Sequence, residues 1–181
     1  MMLRPTFTEK LASLLLACQH VNLISPHGQG RRRTLYDLKS ILPDALIIKH
    51  IDLKHMEENE YQKAFSAAFK DLNKVKHPTL LILHNFNGVQ HLNDMTPALK
   101  LEHVTVLTVS EHQTGMQNLG FNNLVIPSIL KQELMTEVEY RNLVASQDVE
   151  KLADWLMQQA SPYTTLEEKE KGWFALGEWK L

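Results

Sequence analysis

The chain has 181 residues, a net charge of −2 and 22% charged side chains. That balance excludes a general electrostatic attraction to nucleic acid or membrane and confines any anion binding to a local cluster. Its single cysteine, Cys18, excludes an internal disulfide and agrees with a reducing compartment.

The length suits one domain with a full core, expected over residues 1–160, followed by an aromatic tail over 161–181. No apolar run approaches the ~20 residues of a membrane span. The first residues lack an export-type cleavage site, so no membrane insertion and a cytoplasmic location are expected.

Thr6 to His20 reads as a helix, with Phe7, Leu11, Leu14, Leu15 and Cys18 at helical spacing and Cys18 expected as a small buried hydrophobe. Val21 to Ser25 is a short apolar strand. The turn Pro26-His27-Gly28-Gln29-Gly30 follows, and then three arginines, Arg31, Arg32 and Arg33. Thr34 to Leu42 continues as a helix that Pro43 stops. Ala45 to Leu53 is rich in β-formers.

Glu57 to Val75 carries a clear helical stripe through Tyr61, Phe65, Phe69 and Leu72. Thr79 to Leu83 is a continuous apolar run, as in a strand covered on both faces. His84-Asn85 lies at its C-terminal end and Asn87-Gly88 marks a turn. Residues 89–100 fit no single element, because Pro97 interrupts a helix. Val104 to Val109 is a Thr-rich strand and Leu124 to Ile126 a short one. Helices are expected within Ser128 to Val144 and over Ser146 to Ala160, ended by Ser161-Pro162, with a charged turn or short helix over Thr165 to Lys171.

Five strands alternating with helices predict an α/β fold: a mainly parallel five-stranded sheet with helices on both faces, three layers in all. Loops after the strands then share one edge, where ligands of such sheets usually bind. The Gly-rich turn and the His84-Asn85 corner are both expected there.

In this order four segments carry a family likeness. Ser25-Pro26-His27-Gly28-Gln29-Gly30-Arg31-Arg32 looks like a Walker A loop and residues 48–53 like the strand after it. Leu80 to Phe86 looks like a Walker B strand and Val104 to Ser110 like a sensor strand. Over residues 6–145 the chain resembles P-loop NTPases of the AAA+ and STAND type. The resemblance implies a nucleotide fold with changed chemistry. The first Gly position is Ser25, the Lys position is Arg31, and the cation-ligating Ser/Thr position is Arg32. Arg31 can still pair with phosphate, whereas Arg32 cannot ligate a cation. His84 and Asn85 stand where Asp and Glu are expected, and neither is a good hard-cation ligand. Little chain remains for a helical lid, which is expected to be reduced or missing.

The leading expectation is a catalytically inactive AAA+-like domain serving as an adaptor or structural subunit of a larger assembly, whose protein partner includes an active ATPase as one option. No catalytic residue and no metal site are assigned, since the nine histidines form no ligand motif. His27, Gly28, Gln29, Gly30, Arg31, Arg32 and Arg33 form the candidate anion site. No cofactor is expected, with ATP or ADP without magnesium as the alternative. Two further readings stay open: a divergent nucleotide-binding protein or weak ATPase activated by a partner, and a nucleic-acid-binding accessory protein using the three arginines. Trp173, Phe174 and Trp179 are expected to dock on the core or on a partner.

Overall fold

The structure is a computed structural model and describes residues 1–74, 76–86, 95–112 and 116–170. Val75, the Asn87-Gly88 turn, His91 and the tail aromatics Trp173, Phe174 and Trp179 lie outside them.

Five strands form one sheet. They are β1 (Val21–Ile24), β2 (Ile47–Asp52), β3 (Thr79–His84), β4 (Val104–Ser110) and β5 (Asn122–Val125), in the order β2-β3-β4-β1-β5. Every pairing is parallel, with Val21 opposite both Leu107 and Asn122, and Asp52 opposite His84. The expected parallel α/β sheet is therefore present. The helices between strands are α1 (Pro5–Leu16), α2 (Arg31–Ile41) and α3 (Glu58–Lys74), and residues 95–99 are also helical. After β5 come α4 (Lys131–Tyr140), α5 (Val149–Met157) and α6 (Pro162–Glu170). Among the described residues no helix is long and apolar enough to cross a membrane.

The chain divides into two compact units. A sheet unit comprises Thr6–Ser25 and Leu38–Val125. A helical unit gathers Met1–Pro5, Pro26–Asp37 and the residues from Ile126 on. In the sheet unit the predicted stripe of α3 (Tyr61, Phe65, Phe69, Leu72) packs on Leu81, Leu83, Val104 and Val106. These four alternate along adjacent strands and so share one sheet face. In the helical unit, Leu134 and Val138 of α4, Leu152 and Leu156 of α5, and Tyr163 and Leu166 of α6 form one core.

Three expectations change. Cys18 is exposed, because α1 stops at Leu16 and Cys18 takes the left-handed conformation that ends it, at φ 56°. Pro162 ends no structure; it opens α6, where its fixed φ and missing N–H suit a first helical residue. β5 starts at Asn122, since the two asparagines pair as strand residues with Val21 and Asn22.

Candidate functional site

The Gly-rich loop belongs to the helical unit. Gly28 and Gly30 have φ of 76° and 77°, a region costly to other residues. The Thr34 N–H donates to the Gly30 carbonyl at 3.0 Å, which closes the first turn of α2. The first N–H groups of α2 then have no acceptor within the helix. A cavity of about 130 Å³ opens here, lined by Pro26, His27, Gly28, Gly30, Arg31 and Arg32, with Tyr163, Thr164 and Glu167 of α6.

The loop is braced by its own chain. A Cβ on Gly28 would come within 2.5 Å of Ser161 Cα, and the Gly28 carbonyl accepts from the Tyr163 N–H at 3.1 Å. Gln29 does not line the cavity. Its Oε1 accepts from the Ile129 N–H at 2.8 Å, and its carbonyl accepts from the buried Arg4 at 2.7 Å. The first hydroxyl after Arg32 in the sequence is that of Thr34. It is buried and donates to the Gly30 carbonyl at 3.1 Å.

The three arginines have different surroundings. Successive helical side chains point about 100° apart, so Arg33 turns away from Arg31 and Arg32. Its guanidinium lies 3.4 Å from Asp37 and 3.5 Å from Glu137. Glu137 is buried and also accepts from Arg141 Nε and Nη2 at 3.1 and 3.0 Å and from the Tyr163 hydroxyl at 3.1 Å. Burial, and then the Glu137 charge, push the Tyr163 phenol well above its ordinary pKa. The charges left facing the cavity from α2 are Arg31 and Arg32.

His84 and Asn85 end β3 in the sheet unit. His84 Nε2 lies 3.0 Å from His50 Nδ1, on the neighbouring strand. Asn85 adopts φ 53° and donates to Asp52 Oδ1 at 2.6 Å, and the Lys54 N–H donates to the same oxygen at 2.9 Å. The Lys54 N–H is the main cause that lowers the Asp52 pKa. Partial burial opposes it, and Asn85 and His84 add to it. Burial, helped by Lys39, lowers the pKa of His50. A carboxylate thus stands at this edge, but it comes from β2 and is held by hydrogen bonds. Among the described residues no group of three or more His, Cys, Asp or Glu is placed to hold a metal ion.

Reasoning from sequence missed Asp52, Tyr163, Glu137 and Arg4. Asp52 was reachable, since a parallel β2–β3 register brings it beside His84. The others come from distant stretches and left no local signal.

No family model matches the chain, and no curated protein matches its sequence. Solved structures do. PCH-2 of C. elegans superimposes over 90% of this chain with a TM-score of 0.56 at 9% identity. A Signal Transduction ATPase with Numerous Domains protein with a tetratricopeptide repeat sensor, from Pyrococcus horikoshii, does so over 94% with a TM-score of 0.53 at 12% identity. The likeness is one of fold, a five-stranded parallel α/β sheet with helices. The chain spans 62% and 32% of the lengths of those two proteins.

Proposed function

We propose that this chain is a P-loop-type domain without ATPase chemistry, serving as an adaptor or structural subunit in a larger protein assembly. One observation carries the reading: the loop that should grip a nucleotide is occupied by its own chain. Ser161 and Tyr163 close on Gly28, Arg4 and Ile129 hold Gln29, and the Thr34 hydroxyl is bonded inward. The cavity of about 130 Å³ falls short of the ~300–1,000 Å³ typical of small-molecule sites. At the sheet edge His84 and Asn85 are engaged by His50 and Asp52, so the magnesium and water-activating roles have no free carboxylate in their expected place.

Purified protein is expected to show no magnesium-dependent ATP hydrolysis above background. A rate abolished by Arg31→Ala would overturn the reading. The adaptor role is tested by isolating the native assembly; a chain recovered only as a free monomer would count against it.

A second reading is a small-anion clamp. Arg31, Arg32 and the open N-terminus of α2 face a cavity of phosphate-like size. Inorganic phosphate should then shift the amide resonances of Gly28 to Arg32, and Arg31→Ala with Arg32→Ala should abolish the shift. Unchanged resonances at millimolar phosphate would remove this reading.

A further inference from the structure

On the helical unit two large aromatic side chains stand out of the surface. Tyr36 of α2 is 68% exposed and Tyr140, the last residue of α4, is 61% exposed. They form one patch, because the Arg33 guanidinium lies 5.8 Å from the Tyr36 ring centroid and 5.9 Å from that of Tyr140. Arg33 also donates to the carbonyl of Met1, whose side chain is 71% exposed, which extends the patch with a third apolar group. The Arg33 charge is balanced by Asp37 and Glu137, so the patch offers aromatic faces around a neutralised cation.

The end of α6 is anchored beside this patch. The carboxylate of Glu170 pairs with Arg141, the residue that follows Tyr140. Three residues later come Trp173 and Phe174, with Trp179 beyond. Chain reach is ~3.3–3.6 Å per residue, so three residues starting from the Glu170 Cα span at most roughly 10 Å. A nearby anchor raises the effective concentration of a tethered group and so favours docking within one chain over capture by another. Indole rings pack on tyrosine faces and guanidinium planes and bury ~150–250 Å² each.

We propose that the Trp173-Phe174 segment of this chain docks on the Tyr36–Tyr140 patch of its own helical unit, with the Glu170–Arg141 ion pair as the hinge pin. The patch is then an intramolecular seat that covers these aromatics.

Tryptophan fluorescence of the full chain tests it. Trp155→Phe leaves Trp173 and Trp179 as the reporters. Their emission should be blue-shifted and poorly quenched by acrylamide, independent of protein concentration. Tyr36→Ser with Tyr140→Ser should shift emission to the red and raise the quenching constant several-fold. Circular dichroism should stay unchanged, because both tyrosines are exposed. If Trp155→Phe perturbs the fold, single Trp173→Phe in the parent background gives the same comparison by difference. Solvent-like emission in the parent would overturn the proposal, as would shielding that survives the double serine variant. Shielding that appears only as concentration rises would place the segment on a second copy and also overturn it, and so would shielding that appears only when another protein is added.

Discussion

Removing the Glu137 carboxylate should selectively loosen the helical unit. Glu137 is only 1% exposed and serves Arg141, the Tyr163 hydroxyl and Arg33 at once. Glu137→Leu fills the space but leaves a buried phenol and two guanidinium groups, each on a side chain 13% exposed, without that acceptor. Breaking a buried ion pair from one side costs ~3–5 kcal/mol. Arg33 retains Asp37 and Arg141 retains Glu170, so the low end applies, about 3 kcal/mol by the same principle. That is a large share of a typical ~5–15 kcal/mol stability. Glu137→Gln keeps the shape and an acceptor oxygen and should cost less, about 1–2 kcal/mol. The assay is urea unfolding followed by circular dichroism. Native-state hydrogen exchange across α4 to α6 is needed beside it, because two compact units need not unfold together. A Leu variant within ~0.5 kcal/mol of the parent, the range of neutral surface changes, would refute the claim that this ion cluster holds the unit.

Three further outcomes are expected. His20 Nδ1 accepts the Val106 N–H at 3.0 Å, and burial lowers its pKa, so the fold favours the neutral ring. Its contribution is present above the unfolded value of ~6.5 and lost as pH falls through the folded one; an NMR titration giving His20 a pKa at or above 6.5 would contradict this. The raised pKa of Tyr163 works in the opposite direction. Its contribution is complete below ~10, the unfolded value, and is lost as pH climbs past it. Tyr163→Phe should flatten that alkaline decline, and an unchanged slope in a pH series of unfolding curves would count against it. Gly28→Ala combines a positive φ with a Cβ 2.5 Å from Ser161, so ~2–4 kcal/mol should be lost. Gly120→Ala, also at positive φ but with nothing within 4 Å, should cost ~1 kcal/mol; equal losses by thermal unfolding would show that the clash is relieved.

The sheet was legible because its signals are local. Thr79 to Leu83 is apolar at every position, and the stripe of α3 repeats at helical spacing, so both appear within a residue or two of expectation. β5 was less clear because Asn122 and Asn123 resemble turn residues. What makes them strand residues is distant: Asn123 Oδ1 accepts from Asn22 on β1 at 3.1 Å. The loop was readable as a shape from its two glycines. The fate of the arginines was not, since three adjacent letters imply one patch until helical geometry separates them and Glu137, 104 positions past Arg33, claims one. Likewise His84 and Asn85 read as vacant Walker B positions, while Asp52 and His50 meet them only through strand register.

The helical unit is stitched from three stretches, beginning at the first residue and reaching past Ile126. Arg4 and Leu3 are bonded to Gln29 and Asp37, and Ile129 and Tyr163 to the same loop. Such closure demands contacts of very high sequence separation, which form late. A ribosome therefore releases Leu3, Arg4 and the Gly-rich loop long before the segment that completes their unit exists. During synthesis the sheet unit can gather its strands as they emerge, while the opening residues wait for the last third of the chain. Cutting this protein near residue 126 would thus leave the opening residues and the Gly-rich loop bonded to each other but without Ile129 and Tyr163.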